Sequence, residues 1–382
     1  MKWKVTLSDL NFDQRERKMV DRVIRSKWLT MGETVERLEK EFAEFIGTKH
    51  AIAVSSGTAA LHLAMRVLNI KSNDEVIVPS LSFVASSNAI LYVGAKPVFV
   101  DISSRNDFNL SCEDLERKIT PKTRAIVVVH YGGYLADMDE IERIARKHRL
   151  FIIEDSAHAI GADLNSKMAG TLGDVGCFSF FSNKNLATGE GGMIVTDNDR
   201  LAKRLKLLRS HGMTSMTLNR HKGHAYSYDV VELGYNYRMT EISAALGILQ
   251  LKKLSQANKK RKILTNIYVS NLEKAEGLSI PFKDYPRNSS YHLFPILLNK
   301  KTNRKKFMEL LKKEGIQSSI HYPPIHKFSF YRRNLKGNQT KLPLTEYVGA
   351  HELTLPLHPL LEKENVVFVC EKIKKILPKT LR

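Results

Sequence analysis

From about residue 50 to residue 196 the apolar positions fall into short β-branched runs separated by stretches of helical spacing. The runs are Ala51-Ile-Ala-Val54, Val76-Ile-Val78, Pro97-Val-Phe-Val100, Ala125-Ile-Val-Val-Val129, Phe151-Ile-Ile153, then 177–181 and 193–195. Strands that are apolar throughout, alternating with helices, predict a mostly parallel sheet covered by helices, an α/β architecture. Such sheets leave their ligands at the carboxyl ends of the strands. Asp155, His130 and Ser55-Ser56-Gly57 all follow strands at those ends, so they are expected to converge on one crevice.

Ahead of the sheet, residues 13–25 and 33–45 show helical spacing, with Trp28-Leu-Thr-Met-Gly32 as the break between them. After it, 240–276 reads as helical for most of its length and crosses to a smaller α+β region. There the pattern predicts a strand at 291–298, a helix at 304–314, an extended turn around Ser319-Ile-His-Tyr-Pro-Pro324 and a last helix after Leu360. The expected division is a large α/β domain over 1–245, N-terminal helices included, and a linker helix with a small C-terminal domain over 246–382. The one long uncharged run, 76–95, is close to a membrane span in length. It contains Pro79, four serines and Asn88, so it reads as a buried strand followed by a helix.

A chain of 382 residues with 43% hydrophobic content can bury a large core. Cys112, Cys177 and Cys370 are far apart and odd in number, which indicates neither a disulfide framework nor a zinc site and fits a reducing cytoplasm. The first residues, Met1-Lys-Trp-Lys, reach charge before any apolar stretch, unlike a secretory signal. A formal charge of +20 raises nucleic acid or anionic lipid as partners. The cations fall mostly in helical segments such as 203–209, 252–262 and 300–306, with no recognisable nucleic-acid-binding motif, so solvated helix faces account for them better.

One constellation does carry chemistry. Lys184 lies between the aromatic strand Gly176-Cys-Phe-Ser-Phe-Phe181 and the turn Gly189-Glu-Gly-Gly192, and Asp155 ends a strand 29 residues earlier. A lysine amine can hold an aldehyde cofactor as a Schiff base, and a carboxylate at a strand end can keep a pyridine nitrogen protonated. The pair therefore points to pyridoxal 5′-phosphate. Ser56-Gly57-Thr58, between a strand and a helix, is either a phosphate cradle or a simple helix cap. Ser179 either adds a hydroxyl to that phosphate or packs in the sheet. Phe83 either stacks on a planar ring or belongs to the core. His158, read as one helical turn past Asp155, either reaches the carboxylate or ring or is a satisfied structural histidine. Asn236 and Arg238 either reach an anion or fix their turn.

Taken together, Ser56-Gly-Thr-Ala-Ala-Leu61, Glu154-Asp-Ser-Ala-His158, Phe178-Ser-Phe180 with Asn183-Lys-Asn-Leu186, Gly189-Glu-Gly-Gly192 and the block from Gly234-Tyr-Asn-Tyr-Arg238 to Ala245 resemble the DegT/DnrJ/EryC1/StrS family. These are sugar aminotransferases of the fold-type I class that depends on pyridoxal phosphate. The resemblance runs from Trp28 to Pro359. It implies a homodimer with the cofactor on Lys184, Asp155 at the pyridine nitrogen, Phe83 on the ring face, and Gly57, Thr58 and Ser179 on the phosphate. It implies further that Asn236 completes that phosphate site from the partner subunit, that His158 stands near the ring, and that His321 and Tyr322 approach a nucleotide-sugar. The expected reaction moves an amino group from L-glutamate through pyridoxamine phosphate to a nucleotide-linked ketosugar, C4 preferred over C3, in polysaccharide or lipopolysaccharide O-antigen synthesis. No metal, nucleic acid or membrane insertion is expected. Family members that dehydrate sugars carry His in place of the cofactor lysine, so Lys184 favours transamination over the alternatives, a sugar dehydratase or a non-catalytic regulator.

Overall fold

A computed structural model describes residues 3–214, 228–334 and 341–381. Seven strands form the main sheet: β1 (His50–Val54), β2 (Glu75–Pro79), β3 (Lys96–Val100), β4 (Thr123–Val129), β5 (Phe151–Asp155), β8 (Val175–Ser179) and β9 (Gly192–Thr196). Between β5 and β8 lies a two-stranded ribbon, β6 (Asp163–Leu164) with β7 (Lys167–Met168). The sheet order is β1-β9-β8-β5-β4-β2-β3, and β9 alone runs against its neighbours. The mostly parallel α/β sheet expected from the apolar runs is therefore present.

Side-chain alternation explains why the strands read as continuous apolar runs. Val76 and Val78 of β2 and Ala125, Val127 and Val129 of β4 pack with the helices Gly57–Val67 and Ala85–Tyr92 on one face. Ile77, Ile126 and Val128, displaced by one residue, pack on the other face with Ile141 and Ile144 of the helix Met138–His148. A further layer covers β1 and β9 from the helix Glu33–Ile46 and the start of the helix Glu241–Leu272.

The latter helix runs on into a second core. There Leu264, Tyr268 and Leu272 meet β11 (Phe294–Leu298) and β12 (Glu352–Leu355), which with β10 (Leu278–Ser279) make a three-stranded antiparallel sheet. The helices Arg304–Lys313 and Lys363–Ile376 close this core through Phe307, Leu311, Val369 and Ile373. Three expected boundaries move. The long helix stops at Leu272 rather than 276, five residues before the left-handed Gly277. The strand expected from 291 begins at Phe294, because Tyr291 takes φ +49°, outside the extended region. The aromatic strand expected over 177–181 spans Val175–Ser179, since beyond it Phe180 pairs with Gly191 and Phe181 with Gly189 as the chain leaves the sheet. Among the described residues, no helix is long and apolar enough to cross a membrane, and no cluster of His, Cys, Asp or Glu could hold a metal ion.

Candidate active site

A cavity of about 580 Å³ opens at the carboxyl ends of the parallel strands. Gly57, Thr58, Phe83, Asp155, His158, Ser179, Lys184, His321 and Tyr322 all line it, nine of the ten residues expected at the site, and Ser56 lines it beside them. The tenth, Asn236, is exposed and lies outside the lining, where its backbone bridges to Ser210. His130, expected to converge with Asp155, does not reach the cavity. Its ring is fully buried, with Nε2 2.9 Å from Glu154 Oε2, while Glu154 also accepts N–H groups of Gly170, Leu172 and Gly173. The residue after β4 thus anchors a neighbouring loop instead of facing a ligand.

Lys184 is carried by a loop whose ends are pinned: Phe180 N–H donates to Gly191 O, and Thr188 N–H donates to Phe180 O. Gly189, at φ +88°, takes the left-handed turn that closes it. Burial pushes the lysine amine down from 10.5 to about 8, and nearby Asp155 opposes that shift. Asp155 ends β5. Its Oδ2 accepts a 2.6 Å hydrogen bond from Ser86 Oγ and its Oδ1 accepts the N–H of Ala157 at 3.3 Å. Burial raises its acid above the usual carboxylate range, and the Ser86 hydroxyl, the Ala157 N–H and the Lys184 charge pull it back.

The helix Gly57–Val67 points its first N–H groups at the cavity; Ser56 caps it by accepting the N–H of Ala59 at 3.1 Å. The cap and the cradle are therefore one feature rather than alternatives. A Cβ on Gly57 would fall 2.7 Å from Ser179 Cβ, so only glycine lets this helix start press against the serine hydroxyl. Phe83, 58% exposed, precedes the helix Ala85–Tyr92 and lines the cavity, which rules out the core reading of that ring. His158 sits in turns after β5 and not one turn into a helix, because the chain bends at Ser156 to form turns through Gly161. Its Nδ1 accepts the Gly132 N–H at 3.3 Å, and its Nε2 lies 3.0 Å from Tyr322 Oη. Burial holds that ring well below 6.5, hence neutral. With Nδ1 an acceptor, Nε2–H donates to Tyr322, and the Tyr322 hydroxyl proton is left free to turn toward the cavity.

Helix N–H groups with a hydroxyl, an exposed aromatic face, a strand-end carboxylate and a half-buried amine together suit an anionic, planar, pyridine-type aldehyde. The residues present fit pyridoxal phosphate. Ser86 was not anticipated. It is one of four serines in the run 76–95, and nothing in the sequence separates it from Ser80, Ser82 or Ser87; in the fold its hydroxyl also lies 2.9 Å from that of Ser82. The buried pair Glu352 and Thr354, described below, was missed as well.

Comparisons with known proteins agree. The chain is 37% identical over 381 residues to UDP-4-amino-4,6-dideoxy-N-acetyl-beta-L-altrosamine transaminase of Campylobacter jejuni, covering 98% of both chains. Its fold superposes on Helicobacter pylori PseC, an aminotransferase involved in the biosynthesis of pseudoaminic acid, with a TM-score of 0.92 at 32% identity, covering 99% of this chain and 100% of that one. Spr1654 from Streptococcus pneumoniae, solved in PLP-form and PMP-form, matches with TM-scores of 0.91 and 0.92 at 30% identity, across all of that chain and 100% and 99% of this one. Residues 11–374 match the DegT/DnrJ/EryC1/StrS aminotransferase family, and the chain belongs to it.

Proposed function

We propose that the protein transfers the amino group of L-glutamate to the C4 ketone of a nucleotide-linked sugar, with pyridoxal 5′-phosphate as the carrier. The observation that supports this reading most is the meeting of Lys184 and Asp155 in one cavity, the amine brought to about 8 and the carboxylate held by Ser86. The 4-amino nucleotide sugar in the name of the Campylobacter jejuni relative supports the C4 assignment.

Gly57, Thr58 and Ser179 would hold the phosphate, Phe83 would cover one ring face, and Asp155 would sit at the ring nitrogen. His158 would flank the ring, and His321 and Tyr322 would meet the sugar. When bound, the cofactor supplies an electron-accepting ring conjugated to the substrate nitrogen. The Asp155 carboxylate keeps the ring nitrogen protonated. Lys184 Nζ would take the proton from glutamate Cα as general base and then give it up as general acid. With the ketosugar Lys184 would deliver a proton to sugar C4. A base near 8 suits both directions, because it gains and loses a proton at little cost at working pH.

The protein acts in this reading as a homodimer, with Asn236 reaching the phosphate of the partner's site. Exposed Leu233, Val230 and Val231 on the same segment support a covered surface there. The test is a two-stage reaction: the cofactor-loaded protein is treated with L-glutamate, freed of it, and offered nucleotide 4-ketosugars and 3-ketosugars. Release of 2-oxoglutarate followed by a nucleotide-linked 4-amino sugar is the expected result. Amination at C3, or no amination with any ketosugar, overturns it.

A further inference from the structure

Behind the cavity wall a chain of polar groups has no part in the reaction as described. Glu352 and Thr354 stand two apart on β12, so both side chains leave the same face of the strand. Both are buried, at 0% and 1% exposure. The Thr354 hydroxyl is hydrogen-bonded to Glu352 Oε1 and lies 2.8 Å from His321 Nδ1, and Glu352 Oε2 accepts the backbone N–H of His321 at 2.8 Å. The Tyr131 hydroxyl donates to the His321 carbonyl, which fixes the segment from the other side. The ring is thus engaged at Nδ1 while the residue lines the cavity.

We propose that Glu352 and Thr354 form a buried relay that sets the tautomer of His321, and so decides whether Nε2 accepts or donates a hydrogen bond in the cavity. With Glu352 ionised, the Thr354 hydroxyl donates to the carboxylate and accepts from Nδ1–H, so Nε2 presents a lone pair. With Glu352 protonated, its O–H donates to Thr354, the hydroxyl donates to Nδ1, and Nε2 carries the proton. The two states differ by one proton. A proton taken up at Nε2 is matched by one released from Nδ1 to Oγ1, and the hydroxyl proton passes to Glu352.

The charges around the relay leave it free to switch. The Arg304 guanidinium donates to the carbonyls of Gly349 and Glu352 at 2.8 and 2.9 Å, and pulls the carboxyl down only through space. Burial outweighs the Thr354 and His321 hydrogen bonds and this charge together, and pushes Glu352 up to about 8. Tyr131 and Tyr322 face the carboxylate as neutral phenols, both raised well above 10 by burial. Burial, and then Lys184 across the cavity, hold the His321 ring down to about 4, so it stays neutral and only its tautomer changes. Beside it the Tyr322 hydroxyl is a donor. An acceptor and a donor side by side suit a sugar hydroxyl, a consequence that rests on the aminotransferase reading above; the tautomer itself does not.

The test is ¹⁵N NMR of the full, cofactor-loaded chain labelled at the histidine ring nitrogens, with the His321 signals assigned by their loss in His321→Gln. As pH rises through about 8, the protonated nitrogen is expected to shift from Nε2 to Nδ1. In Glu352→Gln the amide N–H donates to Thr354 at every pH, so the Nε2–H form should persist. Thr354→Val breaks the relay and should abolish the exchange while keeping Glu352 in place. A tautomer that never changes in the unmodified protein, or an exchange that survives in Thr354→Val, overturns the proposal. Because these signals need no turnover, they stand whether or not a ketosugar proves to be the substrate.

Discussion

At the scale of single residues, the role proposed for Lys184 rests on what burial does to a common side chain. An exposed lysine is almost wholly protonated near neutrality, whereas burial brings this amine to about 8 and leaves an appreciable free-base fraction. Only the free base attacks an aldehyde. Capture of pyridoxal phosphate by the cofactor-free protein should therefore rise with pH and level off above about 8, followed by near-visible absorbance; a midpoint near the ordinary lysine value would mean the burial is not felt. Lys184→Ala should lose that absorbance and lower turnover by about 10³-fold or more, read in a coupled glutamate assay. A variant with wild-type turnover would remove Lys184 from the mechanism. Its candidacy was legible in the sequence, because its neighbours Phe181, Ser182, Asn183 and the glycines 189, 191 and 192 are poor company for a solvated helix charge. The role of Ser86 was not, since a serine in an apolar run acquires meaning only when the strand end it faces is known.

At the scale of elements, helix ends were forecast from local sequence, and one of them depends on a distant residue. The helix Glu33–Ile46 begins after Gly32, which has no side chain to cap it. Its first N–H groups are taken instead by Glu241, whose Oε1 accepts from Gly32 and Val35 and whose Oε2 accepts from Thr34, each at 2.9 Å. Glu241 is itself the first residue of the helix Glu241–Leu272, and it is buried. One carboxylate thus ties the N-terminal helix to the helix that leads into the second core. Glu241→Ala leaves buried donors without partners and should destabilise the protein by about 1–3 kcal/mol, measured as a fall in the urea midpoint. An unchanged midpoint would mean that water replaces the carboxylate at no cost. The break at 28–32 was visible in the sequence, but this cap, 206 to 209 residues away along the chain, was not.

At the scale of the whole molecule, the proposed homodimer assigns Asn236 to the partner's site. It is exposed and outside the cavity lining of its own chain, as a residue contributed to a partner's phosphate site would be. Mixing inactive Lys184→Ala with inactive Asn236→Ala and letting subunits exchange tests this. Each mixed dimer then has one site with both lesions and one with neither. Random reassociation should restore activity to about a quarter of the wild-type level. If mixed dimers form and no activity returns, Asn236 acts within its own subunit.

The sequence by itself determined the class of the fold and brought forward the residues that meet in one cavity. Strands buried on both faces must be apolar throughout, and a parallel sheet with helices on both sides is the arrangement that buries them, so the runs from Ala51 to Val195 announced the sheet. Short motifs at strand ends then had to face one crevice, and Ser56-Gly57-Thr58, Asp155 and Lys184 do. What only the tertiary structure decided are relations between residues far apart along the chain. His130 follows a strand as Asp155 does, yet Glu154 claims its ring; Phe83, undecided between core and cavity, opens to the cavity. Glu352 and Thr354 look like two polar residues of a short strand until folding sets them against His321. Periodicity encodes which way a side chain faces, because it follows from backbone geometry alone. The identity of what it faces depends on how the elements pack, and no local pattern carries that.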